Sequence, residues 1–319
     1  PRQDYKRDKT WSFWKVFDHN FQDCVIKSWN NFSINIPEAS HELRNESYPY
    51  QSIDSEKFYN KINQKLSKNK NIKFFKHIDE LDTKKSIVFN SVFEESADKS
   101  KLWQHFQGIE IETKKNIFDD QILNLMDFNC EQRDALHFFY TLPFSKNKAL
   151  IETTWISNLE NKSYMNYDSQ LENYIKNNLG IKDYKINFTE KGAIPLFYPT
   201  NRNKDKINIG SAGGMTRLST GYTFLNIQEH SQYIRKNLDN IKAKKPYRIG
   251  KKYEFLDNVF LNVLKSNSEI MPNIFFKMFK GSANTVIKFL SNKSNLIEDF
   301  FIILKMPKWI FIKALLKKD

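Results

Sequence analysis

The pattern of hydrophobic and polar positions divides the chain into three parts. In the first third, Ser33–Ile36 alternates like a half-buried strand, and Asn71–Phe75 and Ser86–Phe89 are short strand-like runs. Trp11–Trp14 is an aromatic knot. Phe58, Tyr59, Ile62 and Leu66 recur at helical spacing, which predicts a helix to about Lys65 with Ser55 as its N-cap. Strand, helix, strand, strand is an order that suits an α/β layer. In the middle third, Phe106–Glu112, His137–Leu142, Ala149–Trp155 and Tyr184–Thr189 read as strands of an antiparallel sheet. A helix over Gln170–Asn178 stops at Gly180, and Gly192 and Pro195 predict a turn after Glu190. Beyond a loop at Thr200–Asp205 the period becomes helical. Thr223–Leu238, Tyr253–Leu264, Pro272–Phe279 and Asn284–Leu290 carry apolar residues at i, i+3 and i+4.

Composition narrows the class. With 40% hydrophobic and 27% charged residues, the 319-residue chain is neither disordered nor an integral membrane bundle. No apolar run reaches the roughly 18 residues that a membrane span needs. The nearest, Leu296–Asp319, is broken by Glu298, Asp299, Lys305, Pro307, Lys308 and Lys313. Fifty Lys and Arg against 37 Asp and Glu give a formal charge of +13. That balance suits an anionic bilayer, nucleic acid or simple solubility. The Lys residues are scattered, so no nucleic-acid partner is expected. Two cysteines, Cys24 and Cys130, exclude a disulfide scaffold and a Cys-rich zinc site. The six histidines lack metal-ligand spacing, and no metal is expected; His105, in Trp103-Gln-His-Phe106, is the one placed as a neighbour of a ligand. No G-x-S-x-G elbow is present, which argues against an α/β-hydrolase.

Candidate chemistry lies in the glycines and carboxylates. Four of the nine glycines, Gly210, Gly213, Gly214 and Gly221, fall within twelve positions, after the short apolar strand Ile207–Ile209 and before a helix. Glycine lets another group approach the backbone closely, and a strand–turn–helix presents free N–H groups to an anion or a carbonyl. A tight turn packed on a neighbouring segment is the plainer alternative. Glu152 sits on an apolar strand with Leu150 and Thr154 on its face and Ile151 and Thr153 opposite. It is either solvated at a sheet edge or desolvated in a pocket, where it would hold a proton. Asp127 and Glu190 pose the same choice. The tail from Phe300 to Lys318 mixes large apolar residues with Lys and breaks at Pro307, as an interfacial helix pair would; a core-packed terminal helix has the same composition.

An ordered series of motifs resembles the lycopene beta-cyclases, most closely their bacterial branch. Trp11-Ser-Phe-Trp14 resembles the family's T-W-S-F/Y stretch, and Leu102-Trp-Gln-His-Phe-Gln-Gly108 resembles its F-x-G strand. Met126-Asp-Phe128 matches M-D-W/F, and Phe139-Tyr-Thr-Leu-Pro-Phe-Ser145 is close to Y-x-L-P-x-S. Ala149-Leu-Ile-Glu-Thr-Thr154 stands where the family has L-[VL]-E-x-T, and Glu190-x-Gly-x-Ile-Pro195 resembles E-x-G-x-[IL]-P. Ile209-Gly-x-Ala-Gly-Gly-Met215 with Ser219-Thr-Gly-Tyr222 resembles a flavin-contact segment. Phe260–Leu264 and Met306-Pro-Lys-Trp309 fall where the family has its tail helices.

The resemblance implies an α/β (α+β) flavoprotein of hydroxylase type. Residues 1–95 would complete a Rossmann-like FAD-binding domain, and 96–200 would form an antiparallel-sheet substrate domain. A second flavin-contact segment and helix would span 201–240, and a helical membrane-associating region 241–319. The chain begins at Pro1 and has no G-x-G-x-x-G, so the first dinucleotide-binding unit is expected upstream. Glu152 would be the essential acid, with Asp127 and Glu190 shaping the site or accepting a proton. Thr153 stands where plant members have a second glutamate. Gly210, Ala212, Gly213, Gly214, Met215, Thr220 and Gly221 would meet reduced FAD, with NAD(P)H as the electron source. Lycopene and γ-carotene would be the substrates and the membrane surface the partner, with no obligate protein partner. The location implied is peripheral, on the cytoplasmic side. Two rival readings remain at this point: another FAD-dependent lipid enzyme, such as a prenyl reductase or hydroxylase, and a non-enzymatic basic protein that binds membranes or nucleic acid.

Overall fold

Two packed β-layers with helices on both sides make up the described part of the molecule. The computed structural model describes residues 5–82, 86–93, 98–199 and 206–316. The expected loop Thr200–Asp205 and the last residues of the tail lie outside these. The first half contains β1 (Thr10–Trp14), β2 (Val25–Trp29), β3 (Asn31–Ile36), β4 (Ala39–Arg44), β5 (Tyr50–Asp54), α1 (Ser55–Ser67) and β6 (Phe89–Asn90). Next come β7 (Trp103–Glu112), β8 (Ile122–Asp127), β9 (Leu136–Ser145), β10 (Lys148–Ser157), α2 (Tyr167–Asn173), β11 (Lys185–Pro195) and β12 (Ile207–Asn208). The helical end comprises α3 (Phe224–Asn237), α4 (Lys251–Ser266), α5 (Met271–Phe279), α6 (Ala283–Leu290), α7 (Leu296–Lys305) and α8 (Lys308–Leu316).

The alternating strands of the middle third form a seven-stranded sheet in the order β11-β7-β10-β9-β8-β3-β4. All its pairs are antiparallel except β3 with β8. It therefore takes two strands from before residue 95. A second sheet, β1-β5-β2, is antiparallel, and β6 pairs with β12 in parallel. One face of the large sheet packs Ile109, Ile111, Phe139 and Ile151 against Leu171 of α2 and Tyr174 directly after it. The other face divides. At its β3–β8 end it carries the C-terminal helices, with Phe32, Ile34 and Phe138 in one core with Phe275 and Phe279 of α5. At its β7–β11 end it faces the small sheet across a cleft.

Local expectations were corrected in four places. Asn71–Phe75 is coil, and the following strand is only Phe89–Asn90. Trp11–Trp14 is a strand, β1. Asp54, not Ser55, caps α1, accepting from the Glu56 and Lys57 amides. Ser55 is buried, and its hydroxyl instead accepts the amides of Asp8 and Lys9 at 3.0 and 3.1 Å. β11 does not turn at Gly192 but runs on to Pro195; the Phe106 ring lies over Gly192, where a Cβ would meet it at 2.7 Å.

Candidate active site

Gly108 lies in β7 with Glu152 of β10 opposite it on one side and Glu190 of β11 opposite it on the other. Directly opposed residues of neighbouring strands point to the same face. Two carboxyl side chains thus flank a position that has none. A Cβ at Gly108 would stand 3.3 Å from Glu190 Cγ, 3.5 Å from Glu152 Cβ and 3.2 Å from Leu150 Cδ1. The missing side chain is the gap that admits both acids. Tyr140 of β9 continues the row beyond Glu152.

The two acids have different partners. Thr154 Oγ1 donates to Glu152 Oε1 at 2.7 Å. The Thr10 backbone amide donates to Glu190 Oε2 at 2.6 Å. Ser55 positions that amide indirectly, because it holds the two preceding residues. Burial lifts both carboxyls above the ordinary range, and the Glu190 charge lifts Glu152 further. The Thr10 amide, then Lys9 and Arg7, draw Glu190 back towards ionisation. A hydrogen bond from a backbone donor favours the charged form, so Glu190 is the better anion and Glu152 the better acid.

Both acids open into a cavity of about 560 Å³ between the large sheet, β1, β5 and the start of α3. Its walls are mostly apolar and aromatic, including Trp11, Phe58, Phe106 and Phe224. Such a shape takes a small or elongated organic molecule and gives it few polar contacts. Tyr50, Tyr140 and Tyr222 line it around Glu152. Burial, followed by the neighbouring groups, holds the Tyr50 and Tyr140 phenols neutral far above their usual range. Lys9 is the one basic side chain among the described residues that line the cavity, and its Nζ donates to the Lys191 carbonyl at 2.5 Å. The arrangement can hold a proton in an apolar chamber and deliver it to a substrate without polar groups.

The sequence pattern of the family described as "Lycopene cyclase protein" matches residues 1–316. The chain belongs to the lycopene cyclase family. Its fold is α/β, shared with two solved structures. It is similar to the solved structure of a geranylgeranyl bacteriochlorophyll reductase-like protein from Thermoplasma acidophilum, at 12% identity and TM-score 0.55, over 93% of this chain and 84% of that one. It is also similar to a flavin-dependent brominase, at 8% identity and TM-score 0.52, over 93% and 83% of the two chains. No curated protein matches the chain.

The structure separates the residues that the resemblance to the lycopene cyclases had grouped. Glu152 and Glu190 come together, but Asp127 does not join them. It opposes Phe139, which opposes Thr153, and so faces α2 on the other side of the sheet. There Tyr174 Oη donates to Asp127 Oδ2 at 2.6 Å, and the Asn129 amide donates to Oδ1 at 3.0 Å. The physical reason is a register shift between Asn124 and Asp127, which turns the end of β8 over. His105 is also on that far face, bonded to Tyr167 and Ser157 at 2.6 and 2.7 Å, away from the cavity.

The glycine segment is likewise divided. Thr220 and Gly221 line the cavity with Ser211, whereas Gly210, Ala212, Gly213, Gly214 and Met215 are not in its wall. Gly213 is needed by its own chain: a Cβ there would stand 2.6 Å from the Asn208 carbonyl oxygen. This is the tight-turn alternative. Gly221 has φ +71°, and a Cβ would stand 2.5 Å from Gln104 Oε1, another cavity residue. Beside Gly210 there is open space, which a Cβ would enter without contact. Ser211, Thr220 and Gly221 give this end of the cavity a polar rim.

Sequence reasoning missed Gly108 as the hinge of the site, although an isolated glycine within a strand signals close approach. It also missed Arg217 and Asp257. Both are fully buried, with Arg217 Nε donating to Asp257 Oδ1 at 3.0 Å. Asp257 also accepts from the Leu218 amide and the Ser219 hydroxyl at 3.1 and 2.6 Å. Arg217 further donates to the Phe289 carbonyl and to Asn292. The pair fastens the rim segment that carries Thr220–Tyr222 to the C-terminal helices.

Proposed function

We propose that this chain is a lycopene beta-cyclase in which Glu152 is the proton donor. The observation that supports this most strongly is the carboxyl pair across Gly108, set in an aromatic cavity of a lycopene cyclase family member. Lycopene and γ-carotene have no polar group, so an apolar chamber is the environment that holds them. Protonated Glu152 adds its proton to C2 of the terminal double bond, leaving a cation at C1. The next double bond attacks C1, and a bond to C6 closes the ring. Loss of the C6 proton to the carboxylate pair gives the β-ring and restores the acid. Atoms and electrons balance, and the product is an isomer. Tyr50, Tyr140 and Tyr222 line the chamber around Glu152 and would exclude water from it.

Ser211, Thr220, Gly221 and the open side of Gly210 are the residues that would meet FAD. Reduced FAD, when bound, supplies negative charge that favours a developing cation, and NAD(P)H would be its electron source. The prenyl-reductase reading draws support from the Thermoplasma likeness, but a proton-holding acid pair is what an isomerisation needs. Pigment from lycopene-accumulating cells that express the protein distinguishes the two. A cyclase yields ringed isomers of unchanged mass, and a reductase yields products two hydrogens heavier.

The same reading makes α7 and α8 the surface that meets the membrane from the cytoplasmic side. Among the described residues no helix is long and apolar enough to cross a membrane. Instead α7 exposes Leu296, Ile297, Phe300 and Phe301, and α8 exposes Trp309, at 78%, and Leu316, at 77%. Ile310 and Phe311 of α8 are half-buried against the core. Apolar side chains flanked by Lys305, Lys308 and Lys313 suit an anionic bilayer, the source of a polyene substrate.

A further inference from the structure

The cavity contains two acids where one would suffice for protonation, and they are not equivalent. Among the described residues, Glu190 accepts a backbone amide at 2.6 Å and Glu152 accepts a hydroxyl at 2.7 Å. We propose that Glu190 is the ionised partner that keeps Glu152 protonated across Gly108, so that the pair shares a single proton at neutral pH. This rests on the reading of Glu152 as the donor, and it makes Glu190 a positioning residue for that proton.

The charged and titratable groups around the pair leave this arrangement intact. From the segment before β1 come Arg7, Asp8 and Lys9. Arg7 is engaged with Glu110 at 2.7 Å and with Asp54 at 3.5 Å, and Lys148 of β10 meets Glu110 at 3.0 Å. Lys9 reaches the carbonyl beyond Glu190 and so lies on the Glu190 side of the pair. β9 and the segment before α3 line the cavity with the phenols of Tyr140 and Tyr222, and β5 brings the Tyr50 phenol and Asp54, which is engaged with Arg7. α1 and α3 supply Phe58, Phe224, Asn226 and Gln228, none of them charged. Lys191 points away, over the Tyr167 ring at 4.8 Å. Lys9 draws both acids towards ionisation, the Thr154 hydroxyl draws Glu152, and Asp8 opposes ionisation of Glu190. The Thr10 amide and Arg7 act on Glu190, so it ionises first, and its charge then opposes ionisation of Glu152.

The proton balance follows. Donation breaks the Glu152 O–H bond and forms a C–H bond, leaving two carboxylates facing one carbocation. Transfer of the C6 proton to the pair breaks a C–H bond and restores the one-proton state. No electrons enter or leave.

The test uses the full chain and two readouts: the infrared C=O stretch of a protonated carboxyl, and the pH profile of lycopene cyclisation with reduced FAD in liposomes. In the parent, one buried protonated carboxyl should persist at neutral pH, and Glu152→Gln should abolish its band. In Glu190→Gln the band should remain but titrate lower by about one pH unit or more. The alkaline limb of the rate should shift equally, a loss of about tenfold on that limb, regained as the pH is lowered. Glu190→Asp should recover most of the parent profile. An unshifted titration in Glu190→Gln would overturn the proposal, as would a band lost in Glu190→Gln and kept in Glu152→Gln. Ring closure by Glu152→Gln would instead refute the donor reading, while the infrared result still reports where the proton resides.

Discussion

Glu152 and Glu190 face one another across a strand that has no side chain between them, because the residue at that point is Gly108. An antiparallel sheet usually separates next-nearest strands by a full side chain. Here the glycine brings two acids into one small apolar volume, where each changes what the other can do. The proposed proton chemistry then depends on a backbone feature as much as on the acids themselves.

Gly108→Ala tests that feature. The new methyl would press on Leu150 and Glu190, at 3.2 and 3.3 Å, and reach ordinary contact with Glu152 at 3.5 Å. Overpacking of this size costs about 1–3 kcal/mol, so the chain should still fold. Displacing the acids should lower cyclisation about 10- to 100-fold. Thermal unfolding and pigment yield measured together check this. Wild-type yield from a folded Gly108→Ala protein would mean that the spacing of the acids does not matter.

A pH dependence of stability follows from the two raised carboxyls. The folded chain binds these protons more tightly than the unfolded chain, in which a Glu titrates near about 4.3. Their contribution is complete below that pH and is lost as the pH rises through the folded values. The limiting slope is about 1.4 kcal/mol per pH unit for each proton. Glu152→Gln removes one such group, so it should flatten the alkaline decline and be the more stable protein at mildly alkaline pH. Urea unfolding across the pH range reads this directly; parallel curves for the two proteins would argue against a raised Glu152.

The tail gives a separable prediction. Replacing exposed Phe300, Phe301 and Trp309 with Ser should leave the fold intact, since each is more than half exposed. It should sharply reduce co-sedimentation with vesicles containing phosphatidylglycerol. Equal pelleting of parent and variant would remove α7 and α8 as the contact surface.

Much of this was legible in the sequence where the signal is local. The middle strands are dense in apolar residues because β7, β9 and β10 are buried on both faces, and Glu152 was conspicuous as a charge among apolar neighbours. Pairing was not legible. That Glu190 lies beside Glu152 depends on how β11, β7 and β10 are registered, which is set by contacts far apart in the chain. Asp127 was grouped with the acids because nothing in Leu125-Met-Asp-Phe128 reveals the register shift that turns it to the α2 face. Ser55 was read as a cap because its hydroxyl suits one, yet Asp54 took that place and freed Ser55 to anchor the segment that reaches Glu190. The glycine cluster marked a segment that partly reaches the cavity, but only the structure separates Gly221, on the cavity, from Gly213, where a Cβ would meet the Asn208 carbonyl.

The most direct measurement is the pigment made by Glu152→Gln in lycopene-accumulating cells, at protein levels matched to the parent. Gln keeps the size and the Thr154 hydrogen bond of the acid but has no comparable proton to give. The account predicts that the parent converts lycopene to ringed product and that Glu152→Gln leaves lycopene unchanged while folding normally. Ringed carotenoid from Glu152→Gln at the parent's yield would contradict it.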